Sequence, residues 1–358
     1  MHHFGIFVAV HSALSDVLRD RVGHGALAFV SSLFHDISNR WVTSMMATVL
    51  LLMFTWRWVL RPSLRYGAAD LGGEENENSV IVITGCDYGF GKAMALRFNA
   101  LGSRVVAGVL SSEAGKKLRA ECDHPERMVT LVLDVTSLEN IEKVRDIIVS
   151  ELNLSVKVLV NNAGISAFGW AEHLPISRYE MNANVNFLGA VRMTSTFLPH
   201  IRASKGRIVN IGSIGARMPS SFGSAYLSTK AAMVSYSECL RQEVFRFGVR
   251  VITVEPGFFA TELLANGAAN GEKESAEDSD YPSYAKKMEA TSSAIRFVEH
   301  MNGGKGGLSR VVGCVVDAAI SRFPLTKYTV GYDAILIRWF LSRLPAWLID
   351  WVQTLQDA

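Results

Sequence analysis

A tyrosine and a lysine four residues apart, Tyr226 and Lys230, are the side chains of this sequence best placed for acid–base chemistry. On a helix, such a pair lies on one face, a turn apart. A free phenol has a pKa of about 10, and an ammonium group held nearby favours the phenolate and lowers that pKa. The pair could therefore take a proton from an alcohol or return one to a carbonyl oxygen.

A hydroxyl group, that of Ser213, lies upstream of this pair. It directly follows residues 206–212, whose apolar character is typical of a short buried strand. Open α/β sheets bind their ligands at the carboxyl ends of strands. Because Tyr–Lys pairs with this spacing also occur by chance on many helices, the interpretation depends on the rest of the chain providing such a sheet.

Short β-branched runs separated by helical patterns predict that sheet. They are 80–84, 104–109, 128–133, 156–160, 207–211 and 249–254, and residues 327–330 could add a seventh strand. This alternation predicts an α/β fold with a Rossmann-type, doubly wound parallel sheet of about seven strands.

Composition limits the possible functions. With 36 Lys+Arg against 34 Asp+Glu in 358 residues, the net charge is +2, and no strongly basic character points to nucleic acid. The four cysteines are scattered and have neither the spacing of a zinc site nor that of a disulfide framework, so we predict no metal.

Residues 41–60 are predicted to form a transmembrane anchor. The run from Trp41 to Trp56 carries no charge, and about 20 apolar residues are needed to span a bilayer. The tryptophans suit the membrane interfaces. A buried core helix is the alternative. Residues 1–40 form an N-terminal segment whose weaker apolar stretch, 25–34, could also associate with a membrane.

Charges around the anchor predict its orientation. Arg57, Arg61 and Arg65 follow it closely, whereas only Arg40 lies close before it. The positive-inside rule then places the downstream domain in the cytosol. We expect the endoplasmic reticulum membrane, with a mitochondrial membrane as the alternative because the N-terminus contains few acidic residues.

The remaining chain divides into a polar linker, 61–78, and a folded domain, 79–358. Within that domain, residues 264–310 are long and polar and are predicted to be a substrate lid, with a disordered insertion as the alternative for part of them. Residues 334–352 are predicted to form a hydrophobic C-terminal helix. It could lie on a membrane surface, or it could serve a homo-oligomer interface or core packing.

A glycine-rich turn follows the first predicted strand. Its glycines, Gly85, Gly89 and Gly91, stand in the sequence TGCDYGFG. Between a strand and a helix, such glycines let backbone N–H groups approach a pyrophosphate. The first βα unit therefore favours a dinucleotide cofactor.

Four motifs occur together: TGCDYGFG at 84–91, NNAG at 161–164, the set Ser213, Tyr226 and Lys230, and PGFFAT at 256–261. In this order and spacing they resemble the short-chain dehydrogenase/reductase family over about residues 79–263. Finer features resemble the branch that holds the retinol dehydrogenases, type-2 17β-hydroxysteroid dehydrogenase and 3-hydroxybutyrate dehydrogenase. The resemblance implies an NAD(P)-dependent oxidoreductase that acts on an alcohol or ketone.

The resemblance also implies individual roles. Tyr226 would be the catalytic acid/base, Lys230 would lower its pKa and hold the nicotinamide ribose, and Ser213 would hydrogen-bond the reacting oxygen. Asn186 would hold a water that links Lys230 to solvent, although a solvent-facing asparagine is the alternative. The implied cofactor-binding residues are Gly85, Gly89, Phe90, Gly91, Asp134 (adenine), Asn162 (adenosine), Ala163, Gly164, Tyr226, Lys230, Pro256, Gly257 and Thr261 (carboxamide).

The sequence favours NAD(H), and NADP(H) is the alternative. A 2′-phosphate calls for Arg or Lys near the end of the second strand, where this chain reads VLSSE at 109–113. Tyr88, not a basic residue, precedes Gly89 in the glycine-rich turn. The usual ribose-binding Asp is missing at the strand end. Glu113 could substitute for it, or could simply begin a solvated helix.

The predicted substrate is a lipophilic secondary or allylic alcohol, such as a steroid or retinoid. The segments expected near the reacting carbon, 165–168, 214–215, 219–222 and 258–259, are apolar or small and uncharged. Arg217 argues the other way because it could clamp a carboxylate. A hydroxy acid such as 3-hydroxybutyrate is therefore the alternative, and a surface arginine is the plainer explanation. A non-catalytic binding or scaffold protein of this fold is a third possibility.

Overall fold

The computed structural model describes residues 78–259 and 284–354. The N-terminal segment 1–40, the predicted anchor 41–60 and the linker up to residue 77 lie outside these ranges, as do residues 260–283. Within the described ranges, no helix is both long and apolar enough to cross a membrane.

Seven strands form one sheet, and their bounds lie close to the predicted runs. They are β1 (Ser79–Ile83), β2 (Arg104–Val109), β3 (Met128–Val132), β4 (Ser155–Asn161), β5 (Arg207–Ile211), β6 (Arg250–Pro256) and β7 (Lys327–Val330). Their order is β3-β2-β1-β4-β5-β6-β7, and each neighbouring pair is parallel. The predicted parallel sheet is confirmed.

Helices connect the strands and cover both faces of the sheet. In the described ranges they are α1 (Gly89–Ala100), α2 (Ser112–Ala120), α3 (Leu138–Asp146), α4 (Ile176–Ala183), α5 (Ala190–Ala203), α6 (Ser224–Val244), α7 (Tyr284–Met301), α8 (Leu308–Ile320), α9 (Tyr332–Trp339) and α10 (Ala346–Thr354). Serines cap two of them, since Ser111 accepts a hydrogen bond from Ala114 N and Ser137 from Asn140 N.

The strands are apolar on both sides because both faces of the sheet are buried. Successive side chains point to opposite faces, so Ile83 packs in one core with Phe98 of α1. Val82 packs in the other core with Phe197 of α5. All four side chains are fully buried. This two-sided burial explains why the strands appear in the sequence as continuous β-branched runs.

The strand order reverses at β1, which has β2 on one side and β4 on the other. The connections that leave the carboxyl ends of β1 and β4 go to opposite faces of the sheet, with Phe98 of α1 in one core and Phe197 of α5 in the other, which opens a crevice between them. The topology therefore brings the segments after β1, β4, β5 and β6 to one edge of the sheet.

One segment differs from its predicted form, and the predicted lid is described only in part. Residues 334–352 are not one helix, because α9 ends at Trp339 and α10 begins at Ala346, after a 3-10 turn and Pro345, which cannot continue a helix. In the segment 264–310, residues from Tyr284 onward form α7, a short 3-10 turn and the start of α8. The part of that segment before residue 284 lies outside the described residues.

Candidate active site

A cavity of about 230 Å³ lies at the carboxyl edge of the sheet. Twelve of the residues named from the sequence line it: Gly85, Gly89, Phe90, Asp134, Asn162, Ala163, Gly164, Ser213, Tyr226, Lys230, Pro256 and Gly257. Gly91 and Asn186 lie behind its wall, and Thr261 is outside the described residues. The fold thus gathers in one place residues that are far apart in the chain.

The glycine-rich turn has the backbone that its sequence predicts. Gly85 and Gly89 have φ values of +68° and +59°, a region that favours glycine. A Cβ on Gly91 would collide with the carbonyl oxygen of Gly85 and would lie 2.6 Å from Asn162 Nδ2. No side chain caps the start of α1, and its first turn carries no acid. These features fit a pyrophosphate approaching the N–H groups of the turn and helix.

Asn162 holds the glycine-rich turn in place from β4. Its Nδ2 donates to Thr84 O at 2.9 Å and to Gly85 O at 3.0 Å. Thr84 Oγ1 in turn accepts from the backbone N–H groups of Asn162 and Ala163, at 3.0 and 2.9 Å. The amide thus donates to the backbone that would surround the pyrophosphate, and the contact with the adenosine that the resemblance implies stays a prediction.

Asp134 follows β3 and lines the cavity, as the predicted adenine contact requires. Its Oδ1 accepts hydrogen bonds from Thr136 N at 2.8 Å and from Thr136 Oγ1 at 2.7 Å. Asn140 Oδ1 accepts from the Asp134 N–H at 2.7 Å. The turn after β3 is therefore rigidly built, and it presents a carboxylate to the cavity.

Tyr226 and Ser213 meet in the cavity through their hydroxyl groups. Burial raises the pKa of Tyr226 to about 12, and the hydrogen bond with Ser213 acts in the opposite direction. Ser213 Oγ also accepts from Gly215 N at 3.2 Å, which fixes its rotamer at the end of β5. The net shift is upward because the loss of water around the phenol outweighs the Ser213 hydrogen bond, and the lowering of this pKa by Lys230 stays a prediction.

Lys230 is 5% exposed and lies one turn after Tyr226 on α6. Its Nζ donates to Ile211 O at 3.0 Å and lies 5.7 Å from the centre of the Tyr226 ring. Burial lowers the pKa of Lys230 to about 8. Lys230 therefore lies close enough to act electrostatically on the phenol.

Asn186 is 2% exposed, so the solvent-facing alternative is wrong. It lies in a π-helical turn, Asn184–Gly189, between α4 and α5. Its Oδ1 accepts from Ile165 N at 2.8 Å, and its Nδ2 donates to Ile165 O at 2.9 Å and to Thr229 Oγ1 at 3.0 Å. The side chain thus ties the segment after β4 to α6 close to Lys230. Its water-holding role stays a prediction.

The turn after β6 is held by two residues that the sequence did not single out, Asn302 and Asp333. Asp333 Oδ2 accepts from Phe258 N at 2.8 Å, and Asn302 Nδ2 donates to Asp333 Oδ1 at 2.7 Å and to Phe258 O at 3.0 Å. A Cβ on Gly257 would collide with the Asp333 carboxylate. This network connects the cavity wall to the chain after α7 and to α9.

Arg217 is neither a surface arginine nor a free cation in the cavity. It forms two hydrogen bonds to Glu255, Nε to Oε2 at 2.8 Å and Nη2 to Oε1 at 2.7 Å. Glu255 is fully buried, and Arg338 Nη1 lies 3.5 Å from its Oε2. Arg217 is therefore a partly buried, ion-paired arginine whose guanidinium neutralises Glu255, and its role as a clamp for a substrate carboxylate stays an alternative.

Aromatic rings border the site beside Tyr226. The Phe168 and Tyr226 ring centres are 6.2 Å apart, and those of Trp170 and Phe222 are 5.2 Å apart. Phe259 is buried in the core and is one of the residues that line the cavity. Of the segments predicted to be apolar, 165–168, 214–215 and 258–259 contribute lining residues, whereas 219–222 contributes none of the described ones.

Known proteins match most of the described chain. The sequence model of the family described as short chain dehydrogenase matches residues 79–271. The 17-beta-hydroxysteroid dehydrogenase type 6 of Bos taurus is 33% identical over 284 residues, which cover 78% of this chain and 88% of that protein. Retinol dehydrogenase 16 of Rattus norvegicus is 32% identical over 280 residues, or 76% of this chain and 87% of that protein. A solved short-chain dehydrogenase from Streptomyces avermitilis aligns with a TM-score of 0.62 and 29% identity, over 78% of this chain and 98% of its own.

Proposed function

We propose, from the premise that this chain belongs to the short-chain dehydrogenase/reductase family, that its substrate is a lipophilic alcohol or ketone of the steroid or retinoid kind. Membership makes it an NAD(P)-dependent oxidoreductase that acts on a CH–OH group. The observation that carries the finer proposal is the apolar wall beside Ser213 and Tyr226.

That wall consists of hydrophobic side chains: Ile165, Val185, Ile214, Phe258 and Phe259. Among the described lining residues, the only cation is Lys230, which serves Tyr226. A steroid or retinoid gains affinity by burying apolar surface, at about 25 cal/mol per Å², whereas a small carboxylate needs a cation or several donors. The names of the steroid and retinol dehydrogenases that match the chain support the same substrate class.

The hydroxy-acid alternative rested on Arg217. Its guanidinium donates two hydrogen bonds to Glu255, and Arg217 is not among the described residues that line the cavity. A carboxylate would have to compete with a buried glutamate for this partner. The lipophilic substrate is therefore the better supported of the two.

The proposed proton transfer uses three side chains. In oxidation, Tyr226 as phenolate takes the proton of the substrate hydroxyl while Ser213 donates a hydrogen bond to the reacting oxygen. In reduction, Tyr226 returns the proton to the carbonyl oxygen. The Lys230 ammonium stabilises the phenolate, and Asn186 holds the surrounding segment. The nicotinamide, when bound, accepts or supplies the hydride.

NAD(H) is the proposed cofactor, with NADP(H) as the alternative. The residues after β2 include no arginine or lysine before Lys116, and the described cavity lining carries two carboxylates, those of Asp87 and Asp134. A 2′-phosphate would add negative charge to this environment. The Michaelis constants for the two cofactors test the preference, and a lower constant for NADP(H) would reverse it.

We further propose that residues 41–60 anchor the enzyme in the endoplasmic reticulum membrane, with the catalytic domain in the cytosol and a mitochondrial membrane as the alternative. The support is the sequence pattern. In addition, Trp339, Phe340 and Trp347 are 54%, 65% and 69% exposed, as suits a membrane surface or a homo-oligomer contact. Carbonate extraction and protease protection test this proposal: release by carbonate would contradict the anchor, and a protected domain would contradict the cytosolic side.

A substrate panel tests the proposed function. The full-length enzyme in detergent is supplied with NAD⁺ and with hydroxysteroids, retinol or 3-hydroxybutyrate, and NADH formation is followed. We expect turnover with a steroid or retinoid and little with the hydroxy acid. Rapid turnover of 3-hydroxybutyrate that is lost in Arg217→Ala, with the fold intact, would contradict the proposal.

A further inference from the structure

Asp87, in the glycine-rich turn, is an acid that lies close to the end of the second strand. Dinucleotide-binding folds that use NAD place a carboxylate at the end of β2, where it meets the ribose 2′-hydroxyl. Here β2 ends at Val109 and the chain continues with Leu110 and Ser111. Neither residue carries a carboxylate, and the hydroxyl of Ser111 already caps α2.

Asp87, in the turn between β1 and α1, places a carboxylate at the end of β2. Its Oδ1 accepts a hydrogen bond from Leu110 N, the first N–H after β2, at 2.9 Å. Asp87 and Leu110 both line the cavity that holds the predicted cofactor residues. The bond therefore fixes the carboxylate at the carboxyl end of β2, although it belongs to a different loop.

Glu113, the substitute suggested by the sequence, does not reach this cavity. It lies in the first turn of α2 with an exposed side chain, and its Oε1 is 3.8 Å from Lys117 Nζ. It is absent from the described lining residues of the cavity. Its position matches the plainer explanation, a solvated helix start.

Asp87 also lines a second, neighbouring pocket. The charged residues that line this pocket with Asp87 are two lysines, Lys92 and Lys117, and two acids, Glu113 and Glu121. Lys92 Nζ is 2.7 Å from Glu121 Oε1. Asp87 thus lines both the cofactor cavity and the pocket that contains the two lysines.

We propose that Asp87 is the residue that selects NAD(H) against NADP(H) in this enzyme. Its carboxylate accepts a hydrogen bond from a ribose 2′-hydroxyl and repels a 2′-phosphate, which carries a charge of about −1.5 to −2. Lys92, which lines the neighbouring pocket together with Asp87, is the cation that would meet the phosphate once this charge is removed. This inference rests on the proposed preference for NAD(H), and it names the group responsible.

Direct cofactor binding tests it without any substrate. NADH and NADPH are titrated into the full-length enzyme in detergent, and the dissociation constants are read from the fluorescence of the reduced nicotinamide. Asp87→Asn keeps an oxygen for Leu110 N and removes the charge. We expect the ratio of the NADPH to the NADH dissociation constant to fall by about tenfold or more. Glu142→Gln removes an exposed charge on α3, among the residues that line neither pocket, and should leave the ratio unchanged.

A second variant covers the case in which the asparagine disturbs the turn. Asp87→Ser should lower the ratio as well, and adding Lys92→Met should remove part of the gain in NADPH affinity. Melting temperatures report whether each variant is folded. If folded Asp87→Asn and Asp87→Ser both keep the wild-type ratio, or if Glu142→Gln changes it as much as they do, the inference is wrong. Tighter binding of NADPH than NADH by the wild type would contradict the proposed cofactor itself, which is a separate result.

Discussion

The guanidinium of Arg217 donates two hydrogen bonds, of 2.8 and 2.7 Å, to the fully buried carboxylate of Glu255. Arg217 lies four residues after Ser213, and Glu255 directly precedes Pro256. The ion pair therefore joins the segment that carries the catalytic hydroxyl to the turn that borders the cofactor cavity. It gives Arg217 a structural task where the sequence suggested a substrate contact.

Arg217→Ala is expected to destabilise the domain. Removing one partner of a buried ion pair leaves an uncompensated charge and costs about 3–5 kcal/mol. Arg338 remains near Glu255, so we expect about 2 kcal/mol, measured by urea unfolding. Arg241→Ala, which breaks a half-exposed contact with Glu238, is the control and should change stability little. Equal effects of the two substitutions would contradict the structural role.

The backbone around the glycine-rich turn leaves no room for a side chain at Gly91. Gly91→Ala places a methyl group against Gly85 O and Asn162 Nδ2, so we expect NADH affinity to fall by at least about tenfold and the melting temperature to drop. Gly313→Ala is the matched control, because Gly313 is also helical but has nothing within 4 Å of its added Cβ. It should stabilise α8 by about 0.5–1 kcal/mol. Normal NADH binding by Gly91→Ala would contradict the claim that cofactor binding requires a glycine at this position.

Burial of Lys230 makes stability depend on pH with a defined sign. Its pKa falls from 10.5 to about 8 on folding, so the unfolded state binds more protons between these values and the stability rises with pH across this window. The raised pKa of Tyr226 acts in the opposite direction only above pH 10. Between pH 7.5 and 9.5, wild type should gain about 2 kcal/mol relative to Lys230→Met. Urea unfolding at the two pH values measures this, and a constant difference would contradict a buried ammonium.

Local patterns were sufficient to predict the sheet and most of the cavity. β2, β5 and β7 have the predicted bounds, because continuous β-branched runs fit strands that are buried on both faces. The glycines and the Ser213, Tyr226 and Lys230 set could be placed because each follows a strand or lies on one helix face. The positions of these residues were thus predictable, although their catalytic roles stay predictions.

Contacts between distant segments were not predictable. Arg217 and Glu255 are 38 residues apart, and no periodic pattern links them. The same holds for Asn302 and Asp333, whose bonds to Phe258 depend on the end of α7 meeting the start of α9. The burial that raises the pKa of Tyr226 was not predictable for a similar reason, since the sequence shows the neighbouring lysine but not how much water the phenol loses.

Turnover by Tyr226→Phe measures most directly whether this cavity performs alcohol–ketone chemistry. The substitution removes only the hydroxyl and keeps the ring beside Phe168. We expect turnover to fall by about 10²–10⁴-fold, with NADH affinity and melting temperature unchanged. Tyr179→Phe, which removes a hydroxyl bonded to Ser224 outside the cavity, should retain activity. Near-normal turnover by folded Tyr226→Phe would contradict Tyr226 as the proton carrier.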